Sequence, residues 1–545
     1  MYAYIGFFAF SLWGDDFYFL LNVRDYGFWE AQHRAYVSVM GRFFNTFLIS
    51  LVCAFENIGM FFDAYRFLVV SLIGLSLFSI FFFVRSVLPG IAAGKAALIS
   101  LFCQSLWLSQ TPWLNEALYA LACEPYYVSC CMILIEAGLL IRIARRERAS
   151  LEIAALSVAA FLNGGLIEFG AVFSIVMLLS ALCWLLSVRN NRGAARLVLP
   201  VIAALAGLGA DYFSPGSQGR IGGHLDLIGT IKETALYCAP TVADALLSPL
   251  KYVFLLFLPD IMKFTNAPEI GHENIRGRLK VWHGVALTVL GVFLLSAIGV
   301  YSIRGYGLAR RCEYIIQWLM WFCWIIYFVW FYSSAASVGR IAGSAVYRRR
   351  HCLAVIFFLL SFNTRDAVVS AFNAAEFRSE LDAQRELLLR VPQGGTAYVP
   401  YATVYNKLLV SDASFAPFND NLYNVCVEYY RLSAVHVAPK EFLAEHPDTV
   451  PTLEYYIDMY NKAAEGGNAA AFTTLGRIYD IGLLGSERNP EKAKHYYSLG
   501  TDRGSVASAR SLLRILMEDG SSLNYGQLAQ YGVKYLLNIY VWRKP

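Results

Sequence analysis

Residues 65–84 read YRFLVVSLIGLSLFSIFFFV, an apolar run in which Arg66 is the only charged residue. As a helix this run would be about 30 Å long, which matches the hydrocarbon core of a bilayer. Comparable runs recur up to about residue 363. The sequence therefore predicts a mainly α-helical protein whose amino-terminal part crosses a membrane many times.

The composition of the whole chain agrees with this prediction. Of 545 residues, 57% are hydrophobic and 16% are charged, whereas a soluble domain carries about 25% charged residues. A soluble globule of this size could not bury so much apolar surface. This composition excludes a soluble enzyme, a nucleic-acid-binding protein and a disordered scaffold. The net charge of +5 is small and indicates little about partners.

The apolar runs predict a polytopic bundle of about ten to twelve membrane helices. The long runs are Tyr65–Val84, Ile91–Leu108, Tyr119–Ile141, Ala171–Val188, Arg196–Phe213, Val281–Ile303 and Cys312–Tyr332. The shorter or interrupted runs are Phe44–Phe62, Leu151–Phe161, Ala235–Leu258 and His351–Phe362.

Short basic loops predict the orientation of these helices, because Lys and Arg concentrate in cytoplasmic loops. These loops are Arg142–Arg148, Arg189–Arg196, Arg304–Arg311 and Arg348–Arg350. Counting spans from them places three segments and the tail from Asn363 outside the cytoplasm. The three segments are Trp113–Asn115, Asn163–Glu168 and Ser214–His224. The orientation between Lys280 and Arg304 stays open.

The amino terminus is too short for an ordinary span. Met1–Trp13 would reach about 20 Å as a helix, so we expect either an incorrectly assigned start or a short re-entrant element. It has no basic region or cleavage site of a signal peptide. Cysteines do not suggest a disulfide framework, because ten of the eleven lie in the apolar part and only Cys426 lies in the tail.

The sequence predicts four regions. They are a membrane domain at 1–363, a mixed extracytoplasmic linker domain at 364–452, helical repeats at 453–520 and a carboxyl-terminal tail at 521–545. Within the linker domain, Ala367–Arg390 has helical periodicity, and Val391–Gly395 should end that helix.

The third region contains an internal repeat with an offset of 37 residues. Tyr460, Gly467 and Leu475 recur as Tyr497, Gly504 and Leu512. The surrounding sequence KAAEGGNAAA and LGRIY closely resembles the Sel-one-like repeats, which are related to tetratricopeptide repeats. This resemblance implies an α-solenoid-like segment that recruits a periplasmic protein partner. A plain helical cap on the membrane domain is the alternative.

The most distinctive local feature is WGDDFY at 13–18, followed by Gly41-Arg42. Adjacent carboxylates at the edge of an apolar run are costly and are functional candidates. The arrangement resembles the first extracytoplasmic loop of GT-C glycosyltransferases, most closely the branch of O-antigen glucosyltransferases. Ser214–Arg220 and the Asn419–Asn421 segment before Tyr429-Tyr430 are similar to further motifs of that branch. The short first helix and Ser217, where an Asn is usual, depart from it.

The resemblance implies an enzyme that uses a polyprenyl-phosphate sugar as its donor. Asp15 or Asp16 would take the proton of the acceptor hydroxyl, and Arg42 and Arg220 would hold the donor phosphate. A solvated helix end and arginines that anchor to lipid headgroups are the plain alternatives for these residues.

Three further polar residues on the same predicted side are candidates for substrate binding. They are Glu168 at a hairpin tip and Asn115 and Glu116 beside Trp113. A structural carboxylate and an ordinary interface loop are the alternatives. The sequence leaves the need for a divalent cation, Mg²⁺ or Mn²⁺, open, and it contains no nucleotide-binding loop.

The leading hypothesis is a glycosyltransferase in the bacterial inner membrane with an extracytoplasmic tail. It would transfer sugar from a polyprenyl-phosphate donor to a glycan or lipid acceptor in surface polysaccharide or lipopolysaccharide modification, in contact with membrane lipid and without nucleic acid. A transporter or polysaccharide-export subunit is the first alternative, and a noncatalytic scaffold is the second. A transporter should bury charged residues near the midplane of the membrane, whereas a transferase should gather them at one face.

Overall fold

The computed structural model describes residues 1–9, 14–110, 114–119, 121–145, 149–187, 189–221, 289–298, 310–331, 344–400, 427–518 and 530–534, with isolated positions at 231, 234, 242, 253, 255–257 and 409. The chain divides into two compact units. The first comprises Met1–Ala383 and Ala402–Ser414, and the second comprises Gln384–Tyr401 and Phe415–Pro545. The described residues are mainly helical.

The first unit is built of helices that follow one another along the chain. Those in its described part are α1 (Tyr2–Gly6), α2 (Gly14–Tyr26), α3 (Phe28–Arg34), α4 (Phe43–Cys53), α5 (Phe61–Val87), α6 (Ala93–Gln110), α7 (Leu114–Tyr119), α8 (Glu124–Arg145), α9 (Ser150–Gly164), α10 (Glu168–Ser187), α11 (Asn191–Tyr212), α12 (Pro215–Ile221), α13 (Val289–Ile298), α14 (Arg310–Phe331), α15 (Ala345–Arg348) and α16 (Arg350–Leu360). A longer helix, α17 (Phe362–Arg390), follows and continues into the second unit.

Within the described part of the chain, four helices are long and apolar enough to cross a membrane, namely α5, α8, α10 and α11. They form where the sequence predicted spans, and they support a helical membrane protein. The run Ala235–Leu258 lies almost entirely outside the described residues. The total of ten to twelve spans stays a prediction.

Helix α8 lies at the centre of the first unit. Of its most apolar stretch, 67% is buried inside the protein, against 33% for each of the other three candidate spans. The neighbouring helices α9 and α11 cross at two glycines. A Cβ on Gly207 would come within 2.3 Å of the Phe161 carbonyl oxygen, and one on Gly164 within 2.7 Å of the Gly207 carbonyl carbon. Glycine allows the two backbones to approach this closely, as is common between membrane helices.

The two ends of the bundle differ in charge. At one end, which we call the basic end, the Arg145 guanidinium donates to the Val87 carbonyl oxygen at 3.0 Å and the Arg142 Nε donates to Ser86 Oγ at 2.9 Å. Three more arginines lie at the basic end: Arg85 in the last turn of α5, Arg189 just after α10 and Arg192 in the first turn of α11. The opposite end, where α8 and α10 begin and α11 finishes, contains Glu124, Glu168 and Asp211, and we call it the acidic end.

The first half of α17 lies at the acidic end of the bundle. Asn363 Nδ2 donates to the Leu108 carbonyl oxygen at 2.9 Å, and Tyr2 Oη donates to the same oxygen at 3.4 Å. The Arg378 guanidinium lies over the ring of Phe62, near the start of α5. The chain therefore leaves the bundle at the acidic end, and the helix predicted to end before Val391 does end at Arg390.

The second unit contains a small parallel sheet and two helical hairpins. Strands β1 (Thr396–Pro400) and β2 (Ala434–Ala438) pair in parallel, with Thr396 opposite Ala434. After them come α18 (Lys440–Glu445), α19 (Leu453–Glu465), α20 (Ala469–Ile481), α21 (Pro490–Asp502) and α22 (Val506–Glu518).

The hairpins α19–α20 and α21–α22 repeat the same local structure. Each helix of the second hairpin begins and ends 37 residues after its counterpart in the first, as the sequence repeat predicts. Gly467 and Gly504 occupy the same turn with φ of 90° and 92°, a backbone region that favours glycine. The polar residues that follow them, Asn468 and Ser505, accept hydrogen bonds from backbone N–H groups in the next helix.

A buried polar cluster joins the two hairpins. Tyr497 Oη donates to Asp480 Oδ2 at 3.0 Å, and Arg514 forms an ion pair with the same carboxylate. Burial and then the charge of Asp480 raise the pKa of Tyr497 above its usual range. Gly476 leaves room for the Tyr497 ring, because a Cβ there would come within 2.5 Å of it.

Candidate functional site

Asp16 lies in the first turn of α2, at the acidic end of the bundle. Its side chain is fully buried, and its Oδ1 accepts a hydrogen bond from the backbone N–H of Ala122 at 2.8 Å. Ala122 belongs to the short turn that leads from α7 into α8. Asp16 is therefore packed against the segment that follows the predicted Trp113–Asn115 loop, and its side chain is not solvated.

Arg42 and Glu168, both predicted site residues, form a buried ion pair. Arg42 precedes α4 and Glu168 begins α10. Arg42 Nε and Nη2 donate to Glu168 Oε1 at 3.1 and 3.0 Å, and Nη2 also donates to Oε2 at 2.7 Å. Nη1 makes a longer contact of 3.4 Å with Tyr126 Oη. The forked geometry matches the carboxylate and fixes the Gly41-Arg42 segment in the bundle.

Electrostatics keep the Arg42 guanidinium charged in this buried position. Burial alone would lower the pKa of Arg42, but the charge of Glu168, with smaller contributions from Tyr126 and Asp211, raises it above its usual range. Arg42 therefore serves as a permanent positive charge at the end of the bundle that also contains the acids Glu124, Glu168 and Asp211.

Gly41 joins this segment directly to the Ser214–Arg220 motif. The Gly41 N–H donates to Ser217 Oγ at 2.9 Å, and Ser217 Oγ in turn donates to Asp211 Oδ1 at 3.0 Å. A Cβ on Gly41 would come within 2.1 Å of both the Asp211 carbonyl oxygen and Ser214 Oγ. Only glycine fits at this position, so two motifs that lie more than 170 residues apart meet as one structure.

The hairpin tip between α9 and α10 completes the arrangement. The backbone N–H groups of Phe44 and Asn45 both donate to the Gly165 carbonyl oxygen at 3.0 Å. The sequence placed the tip, the Gly-Arg segment and the Ser214 segment on one side of the membrane. In the structure the Gly-Arg segment contacts both of the others.

Four predicted site residues have side chains outside the described part of the structure: Asp15, Asn115, Glu116 and Arg220. Their backbones lie in α2, α7 and α12. Helix α12 packs against residues 35–39, since a Cβ on Gly216 would come within 2.8 Å of the Tyr36 carbonyl oxygen. Asn419–Asn421 also lie outside the described residues, whereas Tyr429 and Tyr430 are described.

Sequence reasoning missed Glu124, Tyr126 and Asp211. Asp211 lies near the end of the predicted span Arg196–Phe213, and its role in holding Ser217 depends on packing. Glu124 lay inside the predicted span Tyr119–Ile141, where a carboxyl in an apolar run was itself a signal of function. Its side chain is 2% exposed, and neither carboxylate oxygen has a hydrogen-bond partner among the described residues.

A divalent cation would need several acidic or imidazole ligands close together. Within the described part of the chain, no group of three or more His, Cys, Asp or Glu residues is placed to hold a metal ion. The described acids therefore do not fit such a cofactor, and we assign no chemical step to one.

No known protein family, curated protein or solved structure matches this chain. The interpretation of the site therefore depends on its own geometry and on the sequence motifs.

Proposed function

We propose that this protein is a GT-C-type glycosyltransferase. It transfers a sugar from a polyprenyl-phosphate donor to an extracytoplasmic glycan or lipid acceptor in the modification of surface polysaccharide or lipopolysaccharide. The observation that carries the proposal is that buried Asp16 and the buried Arg42–Glu168 ion pair lie at the same end of an apolar helix bundle, together with the glycine contact at Gly41. A lipid-linked substrate needs such a site, at a membrane face.

In the proposed reaction, a carboxylate of the Asp15-Asp16 pair takes the proton of the acceptor hydroxyl. The acceptor oxygen attacks the anomeric carbon, the bond from that carbon to the phosphate oxygen breaks, and the phosphate leaves with the electron pair. Arg220 and Arg42 stabilise the charge on the leaving phosphate. Arg42 would do so through Nη1, whose contact with Tyr126 is its longest, while Glu168 keeps the guanidinium oriented.

The proposed setting is the bacterial inner membrane, with ten to twelve spans and the acidic end outside the cytoplasm. The arginines at the basic end support this orientation, because positive charge concentrates on the cytoplasmic side. The tail begins at the acidic end, where Asn363 contacts Leu108, so it would lie outside the cytoplasm as well. Its repeats would form a short solenoid-like surface for a periplasmic partner.

Deletion of the gene for this protein is the direct test, because the protein is proposed to consume the lipid-linked donor. A deletion strain should accumulate a polyprenyl-phosphate sugar that the wild-type gene removes. A gene carrying Asp16→Asn should restore the wild-type state poorly, since loss of an acid–base group slows catalysis by about 10²–10⁴-fold. The matched control is Asp63→Asn, because Asp63 lies at the same end of the bundle on an exposed side chain paired with Arg66. A deletion strain with an unchanged pool of lipid-linked sugars would refute the proposal.

One observation favours the alternative of a transporter. Glu136 is fully buried near the middle of α8 and its Oε1 accepts from Asn163 Nδ2 at 3.1 Å. Asn163 also contacts Ser174 at 2.9 Å and Ser129 at 2.7 Å. Buried polar groups at this depth are typical of ion and substrate paths. Uptake of labelled substrate into proteoliposomes that is lost in Glu136→Gln, without any sugar transfer, would establish this function instead.

A further inference from the structure

Glu124 is a buried acid to which the proposed reaction assigns no role. It is the first residue of α8, the most buried candidate span, and both of its carboxylate oxygens are enclosed without a hydrogen-bond partner among the described residues. An ionised carboxylate in such a place is strongly unfavourable unless a donor or a cation compensates it. Since no described residue compensates such a charge, the contacts favour a side chain that holds a proton or meets a ligand.

The neighbouring carboxylate of Asp16 favours the protonated state of Glu124. It lies within electrostatic range of Glu124, and two carboxylates that share a buried site do not both ionise readily. Asp16 accepts the Ala122 N–H two residues before Glu124, and this hydrogen bond favours the charged form of Asp16. Glu124 has no comparable donor among the described residues. These contacts favour the charged form of Asp16 and the protonated form of Glu124.

We propose that Glu124 is a protonated carboxyl group that binds a sugar hydroxyl of the acceptor, next to the hydroxyl whose proton Asp16 removes. A protonated carboxyl offers one donor and one acceptor, and a sugar hydroxyl offers the same pair in return. Ligand binding would supply the hydrogen bonds that Glu124 lacks in the ligand-free protein. This inference rests on the proposed glycosyltransferase function and adds a residue for acceptor recognition.

Substitutions at Glu124 distinguish a protonated group that binds the acceptor from a charged base, a cation ligand or a residue that only fills space. Glutamine is neutral and keeps one donor and one acceptor at the same positions, so Glu124→Gln should keep the KM for the acceptor within about 3-fold of the wild type. Leucine keeps the approximate volume and removes both hydrogen bonds. Glu124→Leu should raise this KM by about 10-fold with a smaller change in kcat, as expected for one or two lost neutral hydrogen bonds.

The assay uses the purified full-length protein in lipid nanodiscs, with a polyprenyl-phosphate sugar and a series of singly deoxygenated acceptor sugars. One deoxy acceptor should be poor for the wild type and equally poor for Glu124→Leu, because the contact it lacks is already gone. Glu152→Gln is the control, since Glu152 lies in the first turn of α9, at the basic end. Infrared spectroscopy should show a protonated carboxyl band that disappears in both Glu124 variants.

Several results would overturn the inference. A loss of activity in Glu124→Gln as large as that in Asp16→Asn would show that Glu124 works as a charged base or cation ligand. A Glu124→Leu variant with wild-type KM would show that the residue only fills space. An inactive wild-type protein would refute the glycosyltransferase proposal itself, whereas an active wild type without the carboxyl band would refute only the protonated state of Glu124.

Discussion

The ion pair between Arg42 and Glu168 provides the strongest test of the site's architecture. The two side chains are 8% and 17% exposed, and three hydrogen bonds join them. Removal of one partner from a buried pair leaves an uncompensated charge and costs about 3–5 kcal/mol. We therefore expect Arg42→Ala to lower the midpoint of thermal unfolding by at least about 5 °C.

Glu30 and Arg34 provide a matched control in the same unit. They form an ion pair on α3 with a similar distance of 3.1 Å, but their side chains are 50% and 45% exposed. Exposed pairs of this kind contribute about 0–1 kcal/mol. Arg34→Ala should therefore shift the midpoint by no more than about 2 °C.

The assay can use cysteines that are already present. Cys53, Cys130 and Cys131 are buried in the first unit, so in a background that replaces the exposed Cys183, Cys323 and Cys352 with Ser, a thiol-reactive fluorescent dye reports when that unit opens on heating. The double variant Arg42→Met/Glu168→Met should be more stable than Arg42→Ala, because it leaves no buried charge unpaired. If Arg42→Ala were no more harmful than Arg34→Ala, the buried pair and the arrangement built on it would be wrong.

Two further predictions concern the tail and the donor phosphate. In a Cys426→Ser background, a cysteine at exposed Glu454 should react with a membrane-impermeant thiol reagent in intact spheroplasts, whereas one at Arg192 should react only after lysis; the opposite pattern would reverse the orientation. Arg220→Lys should reduce transfer less than Arg220→Ala, with weaker donor binding in both, because lysine supplies the charge without the forked hydrogen bonds. Equal activity in all three proteins would remove Arg220 from the donor site.

The sequence was most informative where the structure depends on residues that are close together in the chain. The apolar run at 65–84 was enough to predict a span, and α5 contains it. The repeat offset of 37 residues and its glycines are local signals too, and helices α19 to α22 follow the same offset. The Val391–Gly395 break, which contains Pro392 and two glycines, likewise predicted the end of α17.

The candidate site was less predictable, because its contacts join residues far apart in the chain. Charge patterning predicts the side of the membrane for Glu168, and the resemblance to a first extracytoplasmic loop predicts the same side for Arg42, but their pairing over 126 positions depends on how α4, α8 and α10 pack. The same holds for Gly41, whose need for glycine arises only where Ser214 and the Asp211 carbonyl approach it. Glu124 lies inside the apolar run Tyr119–Ile141, and a single carboxyl group hardly changes the mean hydropathy of such a run.

The described acids at the acidic end of the bundle make different contacts, and these contacts determine which chemistry each acid can perform. Glu168 is bonded to Arg42, so it cannot accept a proton without breaking a buried ion pair. Asp211 receives Ser217 and thereby holds the Gly41 segment in place. Glu124 has no donor among the described residues to stabilise its charge, which favours its protonated form. Asp16 has a backbone N–H donor that favours its charged form, and it lies within electrostatic range of Glu124, so it is the described acid best suited to take a proton from a bound hydroxyl.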